Sequence, residues 1–456
     1  MNAMRLVVIG NGMVGQRLLE RLAAGHHGFS ITVLAEEPRP AYDRVGLTSF
    51  FSARSPGDLS LVPEGFFEAN GITLHLSERA VSIDREARTV MSSTGRVIGY
   101  DRLVLATGSI PFVPPIPGRE RPQCFVYRTI EDLLAIREAA RHARSGAVIG
   151  GGLLGLEAAK ALLDLGLETH VVEFAPRLMA VQVDEGGGRV LRRHIEALGV
   201  RVHTGKSTTA IDAGTRRQHV LRFADGESVE ADLVVFSAGI RPQDALARGC
   251  GLEVGPRGGI VIDDACRTSD ENIFAIGECA LWQGRLFGLV APGYQMAEVA
   301  ANALLGRDGP RFAGADMSTK LKLMGVDVAS LGDAHASTPE ARCCTLVDER
   351  AGVYKKMVLS ADGKRLLGGI LVGDAGDYGT WLQLMLNALP LPSRPESMLV
   401  PAGEESGAGT GTGVAALPAG AQICSCNNVS KGAICAAVAE GVTTLGGIKK
   451  TTRAAS

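Results

Sequence analysis

The stretch Leu6-Val7-Val8-Ile9-Gly10-Asn11-Gly12-Met13-Val14-Gly15 decides the fold, because an apolar strand runs straight into a glycine-rich turn that opens a helix. Glycines spaced as Gly10, Gly12 and Gly15 permit a tight turn, close approach of a pyrophosphate and close packing of helix on strand. The helical pattern continues to about Ala24 and a second strand spans Ile31 to Leu34, the first half of a βαβ unit. Glu36 follows that strand, 26 residues after Gly10, where a carboxylate can accept from a ribose hydroxyl.

The same grammar returns at Ala147-Val148-Ile149-Gly150-Gly151-Gly152-Leu153-Leu154-Gly155. Gly150, Gly152 and Gly155 take the fingerprint positions, a helix is expected from about Leu154 to Leu165, and a strand Thr169 to Glu173 ends on an acid 23 residues past Gly150. Glu173 should accept from the adenosine ribose, and a 2′-phosphate there would meet its charge, so NADH is favoured over NADPH. Arg177 lies close enough to blur that preference, or is simply a solvated surface charge. Three further strands end in small residues: Leu103 to Thr107 and Gly108, Leu233 to Gly239, and Ile273 to Gly277 and Glu278. Each delivers backbone to the carboxyl end of a sheet, where α/β proteins bind ligands.

Composition narrows the classes. At 456 residues, with 46% hydrophobic and 21% charged, the chain buries substantial cores and suggests about three domains. The 47 Lys+Arg nearly balance the 49 Asp+Glu, a net charge of −2, so nucleic-acid or membrane binding by bulk electrostatics is not expected. No apolar run approaches the ~18 residues of a membrane span, since Glu157, Lys160 and Asp164 interrupt the longest one. The first strand begins almost at Met1, leaving no room for a signal peptide, and a cytoplasmic location is expected. Nine cysteines, scattered and mostly in apolar runs, read as buried thiols, including Cys279 and Cys435. Cys343 and Cys344 would point opposite ways on a strand. Only Cys424-Ser425-Cys426 has ligand-like spacing, the bland alternative being two incidental cysteines in a tail.

The fold expected is α/β, with two Rossmann-like dinucleotide-binding domains, one inserted in the other, a small α+β domain and a truncated Fe-S module. Residues 1–115 and 245–310 would form the first domain, 116–244 the second and 311–400 the α+β piece. Residues 401–422, rich in Gly, Ala, Ser and Thr, would be a flexible linker, and 423–456 a piece too short to build its own core.

The two fingerprints with Ala106-Thr107-Gly108 and Ile276-Gly277-Glu278 resemble the two-dinucleotide-binding flavoprotein reductases over about residues 4 to 310. The resemblance implies that the first unit holds FAD, the second holds NAD(P)H, and Glu278 binds the ribitol, although most members carry Asp there. It further implies that Arg44 lies near the flavin diphosphate, that backbone at Ala80 meets the adenine, and that Glu157 orients the nicotinamide for hydride transfer. Read from the residues alone, Glu157 is an acid near a helix N-terminus and Arg44 a surface ion pair. Members that reduce disulfides keep a redox cysteine after the first unit; here none precedes Cys124.

Ile423 to Gly432 resembles [2Fe-2S] modules of the bacterioferritin-associated ferredoxin type, in which Cys424 and Cys426 would be two of four ligands. The second pair would fall just past Ser456, so a cluster is expected only in a longer chain. Over nearly its whole length, including Phe125 to Leu133, Phe287 to Tyr294 and Lys320 to Val328, the chain resembles the large-subunit family of assimilatory NAD(P)H nitrite reductases. That implies an electron-input portion, whole or split, working with a region that carries sirohaem and a [4Fe-4S] cluster and turns nitrite into ammonium. A homodimer is a candidate assembly. A stand-alone NADH:rubredoxin or ferredoxin reductase and a non-enzymatic NAD-responsive flavoprotein are the competing readings.

Overall fold

The computed structural model describes residues 3–52, 55–400, 417–424, 429–452 and 454. The chain divides into two compact units, Met1–Ile110 with Ile240–Ala315, and Pro111–Gly239 with Asp316–Ser456.

In the first unit a five-stranded parallel sheet runs in the order Ile273–Ala275, Arg102–Leu105, Met4–Ile9, Phe29–Leu34, Ile72–His75. The central strand is buried over its last four residues, and its leucine and valines meet Leu18, Leu19 and Leu22 of helix Met13–Ala24. That helix packs on Val290–Leu304. An antiparallel sheet of Ala80–Asp84, Thr89–Ser92 and Val97–Gly99 completes the unit.

The second unit repeats the parallel sheet, in the order Arg201–Thr204, Glu168–Glu173, Ser145–Ile149, Leu233–Phe236, Cys124–Val126. It also contains a five-stranded antiparallel sheet of Thr319–Leu323, Val326–Gly332, Leu366–Val372, Val353–Leu359 and Arg342–Asp348. Helix Tyr378–Leu386 seals one face of that sheet through Trp381, which is fully buried. Lys320 and Lys322 sit exposed on the outer strand.

The chain crosses between the compact units at Ile110/Pro111 and Gly239/Ile240, within five residues of the expected 115 and 244; the Phe112 N–H donates to the Gly239 carbonyl at 2.8 Å, within the second unit. The α+β piece groups with the second nucleotide unit from Asp316 onward, held by polar contacts to helix Glu185–Ala197. The end of the supposed linker is built in: Ala421 is buried, and Ala419 and Ala421 accept from the amides of Gly432 and Lys431 at 2.7 and 2.8 Å.

The thiols also depart from expectation. Cys266 and Cys279 are buried, but Cys343 and Cys435 are exposed. Cys435 lies on helix Lys431–Ala439, where Ala437 alone is buried, because so short a piece covers little of its own apolar surface.

A histidine pair in the second unit, His170 buried and His203 half-buried, carries a pH prediction. His170 Nδ1 lies 3.1 Å from His203 Nε2, the rings stacked 5.4 Å apart. Burial, then His203 and Arg201, push the His170 imidazole down to about 4 from an ordinary 6.5. The folded state therefore keeps His170 neutral while the unfolded chain takes up a proton below about pH 6.5, so stability falls as pH drops through this window to about 4. Thermal unfolding followed from pH 7 to pH 5 should show the decline, and His170→Gln should make it shallower, since His203 and His219 are also pushed down by burial and keep their share; an equal slope in the variant would assign the effect elsewhere.

Candidate dinucleotide cradles

In the first unit the turn after Met4–Ile9 is shaped by what cannot be added to it. Gly10 has φ +107°, and a Cβ there would lie 2.2 Å from the Ala106 carbonyl oxygen; a Cβ on Gly15 would lie 2.4 Å from the Gly10 carbonyl oxygen. These two glycines let strand, turn and helix close on one another. Gly12 is different: its φ of −84° suits any residue, and a Cβ would meet nothing within 4 Å. It caps helix Met13–Ala24 with no capping side chain, and the first turn carries no acid. The open space therefore lies where helix-end amides attract an anion, a cradle that fits a dinucleotide pyrophosphate.

The other expected residues of this unit gather at the carboxyl end of the same sheet. Thr107 Oγ1 donates to the Gln243 carbonyl at 2.6 Å, and Gly108, at φ +67°, accepts from the Gln243 amide at 2.9 Å. Gly277, at φ +81°, packs against Val14. Glu278 is half-buried and accepts from Ser109 Oγ at 2.6 Å, a tether that holds the longer acid in place. Arg44 pairs with Glu37, and its guanidinium lies 5.0 Å over the Tyr42 ring. Burial opposes its charge, but Glu37, Tyr42 and Glu278 outweigh burial and raise its pKa. Ala80 is buried at the start of its strand, while Glu36 stands exposed beyond Leu34.

Sequence reasoning missed three participants here. Glu37, next to the acid singled out, anchors Arg44 and accepts from Tyr42 Oη at 2.6 Å. Ser109 tethers Glu278. Asn11, between two fingerprint glycines, is buried and accepts the Ala41 amide at 3.0 Å, tying the turn to the segment that carries Arg44. A polar residue inside the fingerprint was the available signal for Asn11; nothing local distinguished Glu37 from Glu36.

The second unit builds the same cradle from different residues. Gly150 has φ +120° with Ser237 carbonyl oxygen 2.2 Å from its virtual Cβ, and Gly155 would meet the Gly150 carbonyl oxygen at 1.9 Å. Gly152 caps helix Leu153–Asp164 without a side-chain cap or a first-turn acid, and its Cβ would again meet nothing within 4 Å. Gly239, at φ +103°, is exposed beyond its strand with equally open space. Glu173 is fixed by two main-chain donors: the Gly151 amide on one oxygen, and the Ala175 amide at 2.6 Å on the other. Arg177 is neither free in solvent nor turned toward Glu173; its guanidinium donates to the Val183 carbonyl at 3.0 Å and to that of Ala180 at 3.4 Å. Glu157 lies half-buried on the second turn of helix Leu153–Asp164.

The tail brings Cys424 into the short strand Gln422–Cys424, paired with Val429–Ser430. Cys426 lies outside the described residues, and no cluster of three or more metal-ligating side chains occurs among the described ones. The first unit's thiols are Cys250, Cys266 and Cys279, each pushed up by burial and so held protonated. Among the described residues no helix is long and apolar enough to cross a membrane.

Two cradles of this construction, one per parallel sheet, fit two dinucleotides, and the family match makes the chain an NAD(P)H-dependent flavoprotein oxidoreductase. Residues 4–303 match the pyridine nucleotide-disulphide oxidoreductase family, and the chain belongs to it. Residues 318–388 match the C-terminal domain of rubredoxin NAD+ reductase. Over 100% of its length the chain is 55% identical to the large subunit of NADH nitrite reductase from Escherichia coli (strain K12), covering 54% of that protein. Over 99% it is 58% identical to the NAD(P)H nitrite reductase large subunit of Klebsiella oxytoca, covering 47%. The chain thus spans about half the length of these curated relatives. Among solved structures it is similar to a ferredoxin reductase from Rhodopseudomonas palustris, with a TM-score of 0.76 and 27% identity over 86% of this chain and 96% of that one.

Proposed function

We propose that this chain is the electron-input portion of a cytoplasmic assimilatory nitrite reductase, taking electrons from NADH through FAD toward an iron–sulfur and sirohaem region that reduces nitrite to ammonium. The observation that carries the reading is the pair of cradles in a chain more than half identical, along its whole length, to two nitrite reductase large subunits. Cys424 and Cys426 would supply two thiolates to a [2Fe-2S] cluster completed by further chain.

Gly10, Gly12 and Gly15 would admit the FAD pyrophosphate to the amides of helix Met13–Ala24, with Arg44 balancing its charge, Glu36 and Glu278 accepting from its hydroxyls, and backbone at Ala80, Thr107, Gly108 and Gly277 lining the site. Bound there, FAD supplies an acceptor for a hydride that can release its electrons singly. Gly150, Gly152 and Gly155 would do the same for NADH, with Glu173 on the adenosine ribose and Gly239 leaving room beyond its strand. Glu157 orients the nicotinamide end. Glu157→Gln should slow flavin reduction by NADH about tenfold to a hundredfold, with NADH affinity changed less than about threefold. Anaerobic stopped-flow absorbance measures both, and an unchanged rate would remove Glu157 from the reaction.

The test of the whole reading is coexpression with a sirohaem-bearing remainder. NADH-dependent ammonium formation should then appear, and Cys424→Ser should abolish it. A stand-alone reductase of rubredoxin is the second reading, favoured by the match of residues 318–388. Rapid NADH-dependent rubredoxin reduction with no transfer to the sirohaem region would establish it instead.

A further inference from the structure

Helix Glu185–Ala197 opens with Gly186-Gly187-Gly188, a costly choice, since glycine is among the poorest helix formers. The contacts explain the run. A Cβ on Gly186 would lie 2.5 Å from the Tyr354 ring and one on Gly187 3.3 Å from it, while one on Gly188 would lie 3.0 Å from Arg177 Cβ. The glycines admit a tyrosine of the antiparallel sheet on one side and the arginine that braces the preceding loop on the other.

The helix cap is shared in the same way. Asp184 Oδ1 accepts the Gly187 amide at 3.0 Å, and Oδ2 accepts from Tyr354 Oη at 2.8 Å and Lys356 Nζ at 3.0 Å. Lys356 also donates to the Ala334 carbonyl at 3.2 Å. Burial raises the Asp184 carboxyl, but the amide, the ammonium and the phenol outweigh it and hold its pKa below the ordinary value, so the carboxylate stays charged.

The loop ending at Asp184 begins at Glu173. Along it Met179 N–H donates to the Gly151 carbonyl at 2.8 Å, Arg177 donates to the Val183 and Ala180 carbonyls, and the Val181 carbonyl lies 2.8 Å from His335 Nε2. The loop is therefore tied at one end to Gly151, between two fingerprint glycines, whose amide meets Glu173, and at the other to the antiparallel sheet. We infer that Asp184, Tyr354 and Lys356 are positioning residues, through which the antiparallel sheet sets the affinity of the second cradle for the adenosine half of the nicotinamide dinucleotide. This rests on the reading of Glu173 as the ribose acceptor.

The test uses the full chain and NAD+ as probe, titrated by calorimetry. Lys356→Met and, more mildly, Tyr354→Phe should weaken NAD+ binding about tenfold and threefold. The KM for NADH should rise in step while kcat at saturation holds, because affinity for the adenosine half is common to ground and transition states. Hydrogen exchange at the Gly151 and Ala175 amides should quicken, and Lys356→Arg should restore most of the affinity. An unchanged Kd in both variants, with only a lowered melting temperature, would reduce the cluster to a structural role and overturn the inference. Glu173→Ala is the control: if it leaves the Kd unchanged, the ribose assignment is wrong and the inference falls with it; if it weakens binding while the sheet variants do not, the inference alone fails.

Discussion

Gly12→Val should give a folded protein that purifies without flavin and stays colourless when FAD is added, at least ~100-fold weaker in binding, about 3 kcal/mol. The expectation follows from a contrast within one fingerprint. A side chain at Gly12 meets nothing within 4 Å and needs no unusual backbone, so the fold tolerates it. The same side chain occupies the space in front of the helix-end amides, the place a pyrophosphate must enter. Gly10→Ala should behave in the opposite manner: a Cβ 2.2 Å from a backbone oxygen at φ +107° strains the turn itself, lowering stability before binding is considered. Flavin content by visible absorbance and melting temperature by circular dichroism separate the two. The corresponding pair in the second unit is Gly152→Val and Gly150→Ala, read out by NAD+ binding. A Gly12→Val protein that kept its flavin would remove the first cradle as the FAD site.

What was legible in the sequence is what depends on short-range pattern. The strand, glycine turn, helix and acid recur at fixed spacing because local geometry dictates them, and both parallel sheets form where Leu6 to Leu34 and Ala147 to Glu173 indicate. What was not legible depends on partners far away in the chain. Glu37 and Glu36 are adjacent acids, and only the fold shows that the former holds Arg44. Ser109 and Glu278 are 169 residues apart, and Asp184 lies 170 from Tyr354. Apolar pattern alone placed Cys435 in a core, but a residue is buried only if something covers it, and helix Lys431–Ala439 has little around it. Three consecutive glycines at 186–188 disfavour a helix by propensity; the Tyr354 ring beside Gly186 and Gly187 and the Arg177 side chain beside Gly188 make them a requirement of packing.

Glu173→Arg should reverse the nucleotide preference, raising the KM for NADH about tenfold to a hundredfold and shifting the NADPH/NADH ratio of kcat/KM by at least ~100-fold. In the unaltered chain both carboxylate oxygens accept main-chain amides, those of Gly151 and Ala175, which fix the group beside the fingerprint. Its remaining lone pairs are then aimed rather than merely nearby, and each hydrogen bond to a charged acceptor is worth about 1.5–3 kcal/mol. A 2′-phosphate beside Glu173 would meet this charge, and the Arg177 guanidinium is engaged with the Val183 and Ala180 carbonyls. Arginine at 173 removes the repulsion and supplies a guanidinium that matches phosphate geometry. It also strips the Gly151 and Ala175 amides of their acceptor, so the gain with NADPH should be smaller than the loss with NADH. Glu173→Gln separates the two contributions: it keeps an oxygen for one amide and removes the charge, so discrimination should relax without reversing. Steady-state kinetics with both nucleotides decides, and a ratio unmoved in both variants would show that the ribose is read elsewhere in the second unit.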